Sequence, residues 1–272
     1  MCATERFRRA PLRTAVRAAR FLAADLCRDE VTFTTGDGFR FASMPRNFSS
    51  FAMCVAGARD PHRWRFISSR LQPGAVFVDA GANIGTYTVP AGRLVGPSGR
   101  VIAFEAHPAI MGFLKRNIAA NGLANVTALN LALGAERSSV ELAFSAHNPG
   151  ETHIAGRDER AWTVVRVEMT TLDDALRGLS IDAIDYLKVD VEGFEVPVRH
   201  AWGIIDRSPA SIVQTEVEAT HAERYRHGRG DMVSLLEGLG PVPHEVDQQG
   251  RATRLRRSID TMQHGNLVWF RA

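Results

Sequence analysis

Four carboxylates in this chain each close a short run, three of the runs largely apolar. Asp79 follows Ala75-Val76-Phe77-Val78, Glu105 follows Val101-Ile102-Ala103-Phe104, Asp190 follows Ile184-Asp185-Tyr186-Leu187-Lys188-Val189, and Glu216 follows Ser211-Ile212-Val213-Gln214-Thr215. Runs of this kind read as strands buried on both faces. In an open parallel sheet the carboxyl ends of such strands floor the ligand crevice. Acids placed there accept hydrogen bonds from sugar hydroxyls, take a proton from a reacting hydroxyl, or hold a divalent cation. Asp79 leads directly into a turn with glycines at Gly81 and Gly85, followed by a segment able to start a helix. Glycine lets the backbone adopt φ > 0 and come close to a ligand without a side chain in the way. Glu105, about twenty residues beyond the turn, stands where an acid holds the two hydroxyls of a ribose. Turn and acid together predict a nucleoside-containing cofactor.

The glycine spacing separates the candidate cofactors. A dinucleotide turn reads G-x-G-x-x-G, its second glycine admitting the pyrophosphate. Here Gly81-Ala82-Asn83-Ile84-Gly85 puts Asn83 at that place. The pattern Asp-x-Gly-x-Asn-x-Gly instead resembles motif I of the class I S-adenosylmethionine-dependent methyltransferases. The resemblance implies that the turn wraps the amino-acid half of that cofactor while Glu105 holds its ribose.

The elements that must position these groups alternate along the chain. Hairpin strands at 31–35 and 39–41 flank Gly36-Asp37-Gly38. A helix spans Asp60 to Leu71, and Pro73-Gly74 stops it ahead of the first core strand. His107-Pro108 opens a helix to about Asn121. Val126 to Leu133 reads as a third strand, and Ser139 to Ser145 and Val164 to Met169 as two more. Between these last two lies a polar segment, His147 to Trp162, expected as a lid or substrate-facing loop. Thr170 or Thr171 caps a short helix with Asp173 and Asp174 in its first turn. Glu192 is expected to cap the helix after Asp190, another helix is expected around Asp231 to Leu239, and Asn266 to Phe270 forms a terminal strand. The alternation predicts an α/β fold: a doubly wound, mostly parallel Rossmann-like sheet with an antiparallel last strand. Residues 1–70 are expected as a helical and hairpin extension, and 71–272 as the cofactor-binding domain.

With 45% apolar residues in 272, the chain can bury a sizeable core. No run approaches the roughly 20 apolar residues of a membrane span, and no secretory signal is read. Cys2, Cys27 and Cys54 are odd in number and widely spaced, which fits a reducing compartment, so a cytoplasmic location is expected. Residues 1–28 hold seven arginines against Glu5 and Asp25, or +5, so the remainder of the +3 chain is −2 and no nucleic-acid partner is expected. From Leu12 to Leu26 the apolar residues Leu12, Ala15, Val16, Ala19, Leu22, Ala23 and Leu26 form a helical stripe, with Arg13, Arg17 and Arg20 on another face. The expected arrangement is a helix docked on the domain with its charged face solvated; the alternative is a helix for a membrane surface or an acidic partner.

Three signals in order, VDAGANIGTYT, AFEAHP and TTLDD followed by IDYLKVDVEGFE, closely resemble the FkbM-type methyltransferases over roughly residues 75–220. That family mostly methylates hydroxyls of polyketides, glycans and other natural products. The resemblance implies an S-adenosylmethionine-dependent O-methyltransferase acting on a small-molecule or glycan acceptor. It implies cofactor contacts at Asp79, Gly81, Asn83, Gly85, Thr86, Glu105, Ala106 and Asp190. Ala106 stands where many relatives have proline. Near the acceptor the reading stays open. Asp190 is the first candidate for general base and His153 the second. Alternatively Asp190 and Glu216 hold a divalent metal such as magnesium, or Asp190 is structural. Methylation of nitrogen and a non-catalytic cofactor-binding scaffold are the competing functions. An Asn/Asp-Pro-Pro-aromatic box, expected of many N-methylating enzymes, is absent after Val189. A homo-oligomer is compatible with the chain.

Overall fold

The computed structural model describes residues 11–27, 29–45, 47–56, 60–145, 148–154, 163–191, 203–218, 236, 238, 240–259, 262 and 264–271. Its elements run α1 (Pro11–Cys27), β1 (Val31–Thr34), β2 (Arg40–Ser43), α2 (Phe48–Ala56), α3 (Pro61–Arg70), β3 (Val76–Ala80), α4 (Thr88–Val95), β4 (Arg100–Phe104), α5 (Pro108–Ala120), β5 (Val126–Leu129) and β6 (Ala132–Leu133). There follow β7 (Ser138–Ser145), β8 (Asn148–Ile154), β9 (Thr163–Thr170), α6 (Leu172–Gly178), β10 (Tyr186–Val189), α7 (Gly203–Arg207), β11 (Ile212–Glu218), β12 (Val242–Val246), β13 (Ala252–Arg254) and β14 (His264–Phe270).

The main sheet has the order β13-β12-β14-β11-β10-β3-β4-β5. Strands β11, β10, β3, β4 and β5 are mutually parallel, and β14 lies antiparallel between β11 and β12. From β3 the chain winds outward through β4 to β5, then returns to β10 on the other side of β3. That reversal makes the boundary between β3 and β10 the switch point at which such sheets open a crevice.

Burial on both faces explains the apolar runs. Val78, Ala80, Ile102, Phe104, Leu187 and Val189 share one buried cluster, while Phe77, Val101 and Tyr186 join Phe66 and Ile67 of α3 in another. Helix α5 starts at Pro108, whose fixed φ suits a first helical position. His107 caps it by accepting a hydrogen bond from the Ala109 amide at 3.1 Å. Thr171 caps α6 in the same way.

Several expectations are corrected. The run Val126 to Leu133 is two strands, β5 in the main sheet and β6 in a second sheet of order β6-β9-β7-β8. Asn130 lies between them, its side-chain amide donating to the Glu105 and Ala106 carbonyls instead of sitting in a ladder. The polar segment expected as a loop contributes a strand, because 148–154 finds backbone partners on β7; residues 155–162 lie outside the described set. Strand β11 continues past Glu216 to Glu218 because β14 supplies antiparallel partners there. Helix α2 and strands β12 and β13 were not expected. Glu192 and most of the helix expected at 231–239 lie outside the described residues, although Leu236 and Gly238 are helical.

Helix α1 turns the other way round. Thr14, Ala18 and Phe21 are buried, Phe21 meeting Phe51 of α2 edge to face, while the apolar stripe with Leu12 and Leu26 faces outward. One large aromatic aimed into a cluster with Val31 and Cys54 outweighs the more numerous small and exposed apolar residues.

Candidate active site

The turn after β3 is built on alternate left-handed residues: Gly81 at φ 77, Asn83 at φ 52 and Gly85 at φ 95. Asparagine is among the few residues with a side chain that tolerate this region. Asn83 anchors it by accepting, through Oδ1, from the Ile84 amide at 2.9 Å and from Asn47 Nδ2 at 3.0 Å. Gly81 has a second constraint: a Cβ there would sit 1.8 Å from the Asp190 carbonyl oxygen. The two strand ends flanking the switch point therefore touch, backbone to backbone, through a position only glycine can fill.

Beneath the turn lies a buried charge cluster. Asp79 is fully buried and accepts a hydrogen bond from Thr88 Oγ1 at 2.6 Å. Lys188, 2% exposed on β10, donates to the Gly81 carbonyl at 3.0 Å, with its ammonium 3.2 Å from Asp79 Oδ1 and 3.4 Å from Asp190 Oδ2. The ammonium faces Asp79 Oδ1 without the alignment of a hydrogen bond, so that pair is held by charge. The register makes this cluster: Lys188 lies opposite Asp79 across the β10–β3 pair, so their side chains share a face. Lys188 also lies 5.3 Å from the Tyr87 ring centre, and the Tyr87 hydroxyl donates to Asp60.

Glu105 closes the turn from the β4 side. Its Oε2 accepts from the Asn83 amide and its Oε1 from the His107 amide, both at 2.8 Å. Burial pushes this carboxyl up to about 7, and the two amide hydrogen bonds and the Lys188 charge pull only partly against it. His107 Nε2 is buried with no hydrogen-bond partner, and its ring meets Phe144 of β7 edge-on at 4.3 Å. Burial lowers the imidazole's pKa, favouring the neutral form.

Asp79, Gly81, Asn83, Gly85, Thr86, Glu105, Ala106 and Asp190 thus gather at the carboxyl ends of β3, β4 and β10. Ala106 also packs on the cluster of Leu142, Val167 and Met169. Glu216 is half-buried, and the β10–β11 register, which ends at Val189 opposite Thr215, sets it one strand over from Asp190. His153 lies on β8, in register with Ala143 of β7. Among the described residues no three His, Cys, Asp or Glu side chains gather to hold a metal ion. Sequence reading did not reach Asn47, Asn117 and Asn130. Asn117 donates to the Ile84 and Ala42 carbonyls and accepts from the Ala42 amide, tying hairpin strand β2 to the turn.

A glycine turn at this switch point, a buried acid at the next strand end and an antiparallel β14 between β11 and β12 define a class I S-adenosylmethionine-dependent methyltransferase. The Methyltransferase FkbM domain profile matches residues 79–243, more than half of the chain, so the chain belongs to that family. It is similar to Methyltransferase 1 of Beauveria bassiana, 26% identical over 181 residues covering 58% of this chain and 72% of that one. It is also similar to Methyltransferase sdnD of Sordaria araneosa, 31% identical over 159 residues, 48% of this chain and 61% of the relative. Among solved structures, a TehB-like SAM-dependent methyltransferase from Corynebacterium glutamicum aligns over 96% of this chain and 100% of its own, at 12% identity and a TM-score of 0.43. A likeness that loose carries no argument; the strand order carries the fold.

Proposed function

We propose that the chain methylates a hydroxyl of a small natural product or glycan, with Asp190 receiving the acceptor's proton. The observation that carries this reading is the position of Asp190: it stands at the switch point, its backbone against Gly81 and its carboxylate 3.4 Å from the Lys188 ammonium. Two features of the site fit S-adenosylmethionine. Each Glu105 oxygen accepts one amide and keeps lone pairs for a ribose hydroxyl. His107 Nε2, buried and unpartnered beside it, is a polar atom that the nucleoside can satisfy. The Gly81–Gly85 turn and Asp79 take the methionine half.

When bound, the cofactor supplies an electrophilic methyl on a sulfonium, which becomes a neutral thioether as the methyl leaves. The chain's part is to hold an acceptor oxygen in line with that methyl and to remove its proton. Asp190 accepts the hydrogen bond of the acceptor hydroxyl and takes the proton as the new O–C bond forms. Lys188, 3.4 Å away, holds the Asp190 carboxylate in place. Glu216, one strand over, borders the acceptor side.

The test offers a panel of hydroxyl-bearing and amine-bearing acceptors with methyl-labelled cofactor and locates the label by tandem mass spectrometry. Label on oxygen supports the reading; label on nitrogen overturns it. With the acceptor in hand, Asp190→Asn should lower kcat by roughly 10²–10⁴-fold while S-adenosylmethionine affinity, by calorimetry, changes little. An unchanged kcat removes the proton from Asp190.

A further inference from the structure

Helix α1 presents its apolar stripe to solvent. Leu12 is 78% exposed, Val16 46%, Leu22 47% and Leu26 84%, and only one other large apolar side chain among the described residues, Val164, is comparably exposed. All four fall on one side of a 17-residue helix about 25 Å long. Exposed singly such residues need no explanation, but aligned on one face they mark an interaction surface.

The charges beside the stripe identify the partner. Arg17 and Arg20 lie on the flank of the helix between its outward stripe and its buried side, and neither forms an ion pair among the described residues. With Arg40, Arg116, Phe33 and Phe41 they line a cleft of about 590 Å³, Arg116 being paired there with Glu30. The single acid of the helix, Asp25, is half-buried on the body side. An apolar face flanked by arginines is the pattern of a helix lying in the plane of a membrane interface, its leucines among acyl chains and its guanidinium groups at phosphates. A second copy of this face would answer the leucines but add two more arginines, Arg17 and Arg20, to the same surface.

We infer that α1 docks the enzyme on an anionic lipid surface, independently of which acceptor it methylates. No described helix is long and apolar enough to cross a membrane, so the association is peripheral. The experiment is flotation of the full chain with phosphatidylcholine vesicles, with and without phosphatidylglycerol, at low and raised salt. The wild type should float with the anionic vesicles and release as salt rises. Leu22→Ser/Leu26→Ser should lower partitioning by about tenfold or more, and Arg17→Gln/Arg20→Gln by roughly fivefold per arginine. Both variants change surface residues away from the cofactor turn, so unchanged S-adenosylmethionine binding verifies that they fold. A wild type that stays unbound, or variants that float as well as it does, overturns the inference. So does sedimentation showing a concentration-dependent dimer that the leucine variant dissolves while vesicle binding is absent, since that assigns the face to a second copy.

Discussion

Lys188 is one cation set among two carboxylates and a carbonyl in a dry place. Replacing it by methionine takes the shared cation from Asp79 and Asp190, which should cost roughly 3–5 kcal/mol in urea titrations at neutral pH. The folded-state pKa of Glu105, about 7, lies above the ordinary 4.5, so the folded chain binds a proton that the unfolded chain has lost. The contribution of Glu105 to stability is therefore greatest below about pH 4.5 and falls as pH rises to about 7, by up to roughly 3 kcal/mol. Glu105→Gln should lack this slope. On the role proposed for Glu105, cofactor affinity should run the other way, tightening as pH rises and the carboxylate ionises, which calorimetry across pH will measure. At this scale the sequence was informative wherever a residue's place follows from its own strand: the end of an apolar run located Asp79, Glu105 and Asp190. Lys188 reaches Asp190 within its own stretch of chain, two residues on. Its links to Asp79 and the Gly81 carbonyl depend on which strands are neighbours, and no local pattern contains that.

Elements show the same boundary between local and distant causes. Caps and turns such as His107-Pro108, Thr171 and the hairpin at Gly36-Asp37-Gly38 were legible because their partners lie within four residues. Strand β8 was not, since a polar stretch becomes a strand only when β7 offers it backbone groups. The orientation of α1 was misread for a related reason: its pattern offers two faces, and the deciding contact, Phe21 on Phe51, spans 30 residues of sequence. Asn117 fastens two elements in this way, joining α5 to β2 and to the cofactor turn. Asn117→Ala strips partners from the Ala42 and Ile84 backbone and should cost roughly 2–3 kcal/mol. Hydrogen exchange should report faster opening at Ala42 while the β3 amides stay protected.

The whole molecule is sewn together by its last strand. β14 enters antiparallel between β11 and β12, and Trp269, fully buried, donates from its indole nitrogen to Thr215 Oγ1 at 2.9 Å. Trp269→Ala opens a cavity at this seam and should cost roughly 3–5 kcal/mol in urea or thermal unfolding. Parallel order in the centre of the sheet was legible from the alternation of strands and helices; the insertion was legible only as an antiparallel terminal strand, because β12 and β13 carry no apolar run that announces them. The seam also sets a schedule. In the main sheet β12 and β13 bond only to each other and to β14, although a ribosome produces them first. That pair waits with its edge open until β14 clears the exit tunnel, so the central parallel strands can assemble during translation while the far edge is added only after synthesis has passed Phe270.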